Sequence, residues 1–107
     1  MKEAFKKEIV QRIIKNLLDI QILRLVDAEP MWGYKIKRQI EATSSVKIRH
    51  GILYPLLNKM EREGYLASQK LPHGKRLRRV YTITEKGKQY LETYYEVVRE
   101  QQPISPK

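Results

Sequence analysis

Residues 51–64 read GILYPLLNKMEREG and predict the helix around which the fold is organised. The apolar side chains follow the i, i+3, i+4, i+7 spacing of a helix that packs on a core along one side: Leu53, Leu56, Leu57 and Met60. Gly64 suits the left-handed position that commonly ends a helix. Pro55 has no N–H and its ring crowds the preceding turn. We therefore expect this helix either to start late or to have distorted first turns.

The opposite face of this helix carries no acidic side chain. At 100° per residue it presents Lys47, Gly51, Tyr54, Asn58, Lys59 and Arg62. A helix with such a face fits the major groove of DNA, where Asn can read adenine and Arg or Lys can read guanine. Tyr54 offers a hydroxyl to phosphate or a ring edge to a base. The alternative is that the Tyr54 ring is half-buried against a neighbouring element.

Helical segments precede this helix. Residues 2–28 contain no Gly or Pro, and the stretch from residue 17 to residue 26 is apolar around most of its circumference, which indicates burial on most sides. Asp19 could cap a fresh helix, so a break near residues 16–19 is an alternative to one continuous helix. A short connection then leads to a second helix over residues 33–43, followed by a turn at residues 43–45.

Two strands and a last helix follow. Residues 65–71 and 77–83 have strand-like composition and flank a turn at residues 72–75. Thr84 is placed to cap the last helix, whose apolar stripe is Leu91, Tyr94, Tyr95 and Val98. A chain of this length has little core left to cover that stripe, so we expect a homodimer. The predicted dimer contacts are Leu17, Ile20, Leu91, Tyr94, Tyr95 and Val98.

This order of elements predicts a mainly α fold with a small β-hairpin. More specifically, it predicts a winged helix-turn-helix with additional N- and C-terminal dimerisation helices. The corresponding division of the chain is an N-terminal helical extension (1–15), the winged helix-turn-helix (16–84), the dimerisation helix (85–102) and a flexible tail (103–107).

The positive charge is concentrated in the middle of the chain. The 107 residues carry 22 Lys and Arg against 12 Asp and Glu, a formal net charge of +10. Nearly all of this excess lies between residues 31 and 82, and residues 65–82 contain no acid. A concentrated basic block is the electrostatic signature of a polyanion-binding surface. The predicted DNA-binding residues are Lys47, Arg49, His50, Tyr54, Asn58, Lys59, His73, Lys75, Arg76, Arg78 and Arg79.

The composition argues against other classes of protein. There is no cysteine, and the two histidines, His50 and His73, lie far apart in the sequence, so we expect no metal site, no cofactor and no enzyme. The sequence shows neither a membrane-spanning apolar run nor the pattern of a signal peptide. We therefore expect a cytoplasmic, nucleoid-associated protein.

Several runs together resemble the PadR family of transcriptional regulators. These are WGYKI at 32–36, GILYPLL at 51–57, EREGYL at 61–66 and RVYTITEKG at 79–87. The resemblance covers about residues 16–91, with the runs in the expected order and spacing. It implies a winged-helix homodimer that binds an operator, usually as a repressor. It also implies that residues 85–101 dimerise with residues 17–28, and that a small-molecule effector, of unknown identity, could bind near the interface.

The chain departs from the family pattern in two places. Arg49 and Ile52 stand near positions where the family often has a small hydroxyl residue and a threonine. Residues 2–15 form an amphipathic extension that is longer than the usual start and could enlarge the dimer interface.

Two other functions fit the same basic block. One is an architectural protein that binds nucleic acid without sequence preference, against which Tyr54 and Asn58 argue because they suit base edges better than phosphates. The other is a winged-helix adaptor that binds an acidic protein. The hypothesis favoured by the sequence is a sequence-specific transcriptional regulator that binds double-stranded DNA.

Overall fold

The structure is a computed structural model that describes residues 1–101. Within these residues the chain forms five α-helices and three β-strands, in the order α1 (Lys2–Asn16), α2 (Leu18–Ala28), β1 (Met31–Trp32), α3 (Gly33–Ser44), α4 (His50–Arg62), β2 (Leu66–His73), β3 (Arg76–Ile83) and α5 (Glu85–Gln101). The predicted fold class, a mainly helical winged helix-turn-helix, is confirmed. The predicted tail at 103–107 lies outside the described residues.

The long N-terminal helical region is broken into two helices at Leu17. The φ and ψ angles of Leu17, −124° and 41°, lie outside the helical region and separate α1 from α2. The break therefore falls where the alternative of two helices placed it. Asp19 does not cap α2, since it lies inside the first turn and accepts a hydrogen bond from the N–H of Ile20.

The sheet contains a third strand that the sequence did not reveal. β1 pairs antiparallel with β3, Met31 opposite Tyr81 and Trp32 opposite Val80, so β3 is the central strand. β1 is only two residues long and has no pattern of its own. Its strand character comes from its pairing with β3.

The hairpin of β2 and β3, which is the wing, is longer than predicted. The two strands remain paired out to His73 and Arg76, so the turn at its tip is Gly74-Lys75 rather than the four residues 72–75. The outer half of the wing extends beyond the core. Leu77 is therefore 65% exposed, although Tyr81 on the same strand face is buried.

α4 begins at His50, and Pro55 lies inside it. The helix does not start late, because both Ile52 and Leu53 already donate backbone hydrogen bonds to the carbonyl of Arg49. Three of the four predicted core positions are buried (Leu53, Leu57 and Met60), and Leu56 is half-buried. Gly64 has φ = +85° directly after the helix, as predicted from its place in the sequence.

α5 packs on α2 within the same chain. Its first turn is capped by Thr84, whose hydroxyl accepts a hydrogen bond from the N–H of Gly87 and donates one to the carbonyl of Gly64. Ile20 and Leu91 are 3% and 4% exposed and belong to the core. The prediction that these two side chains contact a second subunit is therefore wrong, because α2 and α5 already cover each other.

Candidate nucleic-acid interface

The loop that leads into α4 is held by two side chains of α3. Ser44 donates a hydrogen bond to the carbonyl of Ile40 and accepts one from the N–H of Val46. Glu41 accepts a hydrogen bond of 2.7 Å from the N–H of Ile48 and forms an ion pair with Lys37. The bond from Ile48 is the main cause that lowers the pKa of Glu41, with the Lys37 ammonium adding to it and burial opposing it. These contacts fix the angle between α3 and α4.

α4 presents an exposed N-terminus and an exposed outer face. Arg49, the residue before the helix, makes no side-chain cap, so the first N–H groups of α4 have no capping side chain and suit a phosphate oxygen. Lys47, Arg49 and His50 are all exposed around this end of the helix. Asn58 is exposed two turns further along the same helix.

Tyr54 is half-buried between helices, as the alternative prediction proposed for this ring. An added Cβ on Gly33 would lie 2.8 Å from Cε1 of Tyr54, so the ring occupies the space that a glycine leaves at the start of α3. The His50 ring stacks on Tyr54 at 5.5 Å between centroids and 11° between planes. Tyr54 therefore braces α4 against α3, and its stacked partner His50 remains at the surface.

Lys59 lies on another side of α4 from Asn58. It borders a shallow depression with Asp19, Glu63 and Tyr90, and its ammonium lies 4.0 Å from the Glu63 carboxylate. The predicted outward face thus covers too wide an arc. Consecutive residues on a helix differ by 100°, so Lys59 turns toward α2 and α5 while Asn58 turns outward.

The outer half of the wing carries a stack of cationic and aromatic side chains. The Arg78 guanidinium lies over the Trp32 ring, 3.8 Å from its centroid. His73 is hydrogen-bonded to Arg78 through Nδ1 and lies 6.3 Å from Trp32 between ring centroids. Neither Trp32 nor this stack was predicted, because the contact depends on β1 lying beside β3. Lys75 and Arg76 are exposed at the tip.

Arg79 holds the wing to α4. Its Nη1 donates to the hydroxyl of Ser68 at 2.8 Å and lies 3.9 Å from the Glu61 carboxylate. Ser68 donates in turn to Glu61 at 2.7 Å. Arg79 therefore has an acidic partner within the chain, unlike Lys75 and Arg76, which form no ion pair among the described residues.

The structure brings α4 and the wing together around one cleft. This cleft has a volume of about 330 Å³, and Trp32, Tyr34, Tyr54, Arg76 and Arg78 are among the residues that line it. Together with Lys47, Arg49, Asn58 and Lys75, they form a surface that joins a helix N-terminus, aromatic rings and cations. We call this surface, from residue 47 along the outer face of α4 to the tip of the wing, the basic face.

Comparison with known proteins identifies the class to which this fold and face belong. The model of the transcriptional regulator PadR-like family matches residues 22–93, and the chain belongs to that family. It is accordingly a transcriptional regulator and not an enzyme, as predicted. No curated protein matches the chain. Among residues 1–101, no helix is both long and apolar enough to cross a membrane.

Solved structures agree with this assignment. A PadR family transcription regulator from Clostridium difficile is 26% identical, with a TM-score of 0.70 over 76% of this chain and 85% of that one. A transcriptional regulator from Clostridium thermocellum is 26% identical, with a TM-score of 0.73 over 82% and 88% of the two chains. Bacillus subtilis PadR, solved in complex with operator DNA, is 29% identical, with a TM-score of 0.69 over 85% of this chain and 51% of that one.

Proposed function

We propose that this protein is a sequence-specific DNA-binding repressor that binds a pseudo-palindromic operator as a homodimer. The observation that carries the proposal is the basic face, which sets the exposed helix α4 beside a cationic hairpin. α4 has the dimensions that the major groove accepts, and the wing tip then meets the flanking phosphates. The likeness to Bacillus subtilis PadR, which was solved in complex with operator DNA, supports binding to DNA.

The residues of the basic face divide by the role that each can take. Lys47, Arg49, Lys75 and Arg76 are exposed cations that form no ion pair among the described residues, and they bind phosphate. Asn58 is the side chain on the outer face that can pair with an adenine edge. His50, His73 and Arg78 line the same surface while being held by Tyr54 or Trp32. Arg79 and Lys59 contribute charge from a greater distance.

The dimer in this proposal uses apolar side chains that the chain leaves uncovered. Phe5, Ile9 and Ile13 form a stripe on α1 and are each 41–55% exposed, and Tyr95 and Val98 on α5 are about 40% exposed. A groove of about 490 Å³ among α1, α2 and α3 adds further open apolar surface. Leu17 and Tyr94, which pack partly on the core, border these surfaces. A two-fold dimer through α1 and α5 places the half-site centres about 10 bp apart, or a multiple of it.

Salt titration tests whether the basic face binds DNA. If each subunit neutralises about four phosphates, the logarithm of the association constant should fall with the logarithm of salt concentration with a slope of roughly −7. A slope near zero between about 50 and 300 mM salt, a range over which phosphate contacts weaken strongly, would contradict nucleic-acid binding altogether. A reporter gene placed behind the selected site should lose expression when the protein is present, and increased expression would make the protein an activator.

An architectural DNA-binding protein is the second candidate, favoured by the number of free cations at the wing tip. Two variants separate it from the regulator. Asn58→Ala should weaken binding to the selected site by on the order of 1–3 kcal/mol and leave random DNA almost unaffected. Lys75→Ala should weaken both by similar amounts. Equal losses from both variants on both DNAs would favour the architectural protein.

A further inference from the structure

The part of α4 that lies nearest its N-terminus exposes apolar groups at the surface. Ile52 is 57% exposed, and Pro55, one turn later, is exposed too. Gly51 beside them has no side chain, and nothing lies within 4 Å of where its Cβ would be. The polar members of the outer face, Asn58 and Arg62, follow only in the next turns. Ile52 lies about 120° around the helix from Asn58, on the flank that it shares with Lys59, so the first turns of α4 are apolar on this flank and the polar outer face follows further along.

Packing within the chain does not explain this exposure. Leu53, the next residue, is fully buried and supplies the contact of this turn with the core. Ile52 lies on the flank of the helix, 100° from Leu53, and does not belong to the buried cluster or to the side chains packed on it. An exposed isoleucine at such a position suits a ligand with an apolar group of its own.

The charges around Ile52 identify that ligand. Lys47 and Arg49 lie just before the helix, and the apolar area is limited to Ile52 and Pro55. A surface for an apolar protein partner is normally larger and depleted of charge at its centre. A small apolar spot inside a cationic surface matches double-stranded DNA, whose major groove exposes one apolar group on its base edges, the C5 methyl of thymine.

We propose that Ile52 contacts a thymine methyl in each half-site and makes that thymine a specificity determinant. The proposal rests on the proposed function and adds to it the base that the N-terminal turns of α4 read. In a helix-turn-helix the N-terminal residues of the recognition helix reach the base edges, and Ile52 is the third residue of α4. Asn58 then reads a base further along the groove.

The expected effect follows from the size of one methyl group. Burying one methyl group away from water strengthens binding by about fourfold. Replacing the contacted thymine by deoxyuridine, which lacks only that methyl, should therefore weaken wild-type binding about fourfold in one half-site. Replacement in both half-sites should weaken it about 16-fold if the two subunits contribute equally.

The experiment is a double-mutant cycle between protein and DNA. Each thymine of the selected operator is replaced in turn by deoxyuridine, and the affinities of the wild type, Ile52→Ser and Ile52→Ala are measured on every duplex. Replacement of one particular thymine in each half-site should lower the affinity of the wild type. The same replacement should leave the affinities of both Ile52 variants unchanged. Asn58→Ala is the matched control, and it should still lose affinity at that same thymine. Circular dichroism verifies that the variants are folded.

The outcomes separate this proposal from the function on which it rests. If no site is selected over random DNA, the proposed function itself fails. If the wild type prefers a site yet tolerates every deoxyuridine, the contact with thymine is refuted while the regulator stands. If a deoxyuridine weakens the wild type and both Ile52 variants alike, the methyl matters to the duplex or to another residue, and the assignment to Ile52 is overturned.

Discussion

The body of the molecule buries its large apolar side chains, whereas its two helical arms leave most of theirs exposed. The body comprises α2, α3, α4 and the sheet, and its apolar residues cover one another, as shown by the full burial of Ile22, Ile36, Leu53 and Leu57. The arms are α1 and the second half of α5, where most large apolar residues stay exposed. The radius of gyration is 15.8 Å, compared with about 13 Å for a compact domain of this length. The body covers its apolar residues within one chain, whereas the arms leave most of theirs exposed, and the proposed dimer rests on this difference.

The largest expected effect comes from creating a cavity in the core of the body. Leu57→Ala removes a fully buried side chain from α4 and should lower the free energy of unfolding by about 2–5 kcal/mol. Leu77→Ala, in the exposed part of the wing, is the matched control and should change it by no more than about 0.5 kcal/mol. Chemical denaturation measures both. Similar losses for the two variants would mean that the wing is part of the core.

A charge on the α1 arm should separate the subunits without unfolding them. Ile9→Glu places a carboxylate in the exposed stripe and should weaken the dimer at least tenfold, since burying one large apolar side chain is worth about 1.5–3 kcal/mol. Sedimentation measures the mass, and circular dichroism should show unchanged helix content. Lys7→Glu, on the opposite side of α1, should leave the dimer intact. A wild type that is monomeric at micromolar concentration would contradict the dimer directly.

The difference between body and arms also explains what the sequence could reveal. Periodicity located α4, and local chemistry located the Gly64 turn and the Thr84 cap, because each depends on residues close in sequence. The positions of Ile20 and Leu91 were misjudged for a physical reason. An apolar stripe has the same pattern whether it covers its own chain or a second subunit, and only the packing of α5 on α2 decides between them.

For the basic face, too, the sequence could predict only part of the surface. The sequence predicted its cations and the outer face of α4, but not the residues that hold them in place. Trp32 beneath Arg78, and Ser68 between Arg79 and Glu61, meet only after β1, β2 and α4 have assembled. Ile52 could have been noticed, because its helical angle places it outside the apolar stripe of α4.

Removing the aromatic ring that supports the wing should have a smaller effect than separating the subunits. Trp32→Ala removes the ring beneath the Arg78 guanidinium, a contact worth about 0.5–1 kcal/mol at a partly exposed site. Affinity for the operator should fall about twofold to fivefold as the wing loses its orientation. Trp32→Phe keeps an aromatic face and should retain most of the affinity. The prediction is wrong if the alanine variant binds as tightly as the wild type, measured by fluorescence anisotropy.

The smallest expected effect is the pH dependence that Glu41 gives to the turn before α4. The pKa of Glu41 is lowered in the folded protein, chiefly by the hydrogen bond from the Ile48 N–H. A carboxyl group whose pKa is lower in the folded than in the unfolded state stabilises the fold fully at a pH above its unfolded pKa. This contribution is lost as the pH falls through its folded pKa. Glu41→Gln keeps an acceptor for Ile48 but removes the charge.

The variant should therefore be less stable than the wild type at neutral pH, and the two should converge as the medium is acidified. Denaturation midpoints measured from neutral to acidic pH test this convergence. Glu85→Gln is the matched control, since it removes a carboxylate at an exposed helix start far from the turn. A stability difference for Glu41→Gln that persists unchanged at acidic pH would show that the side chain acts there through its shape and not through its charge.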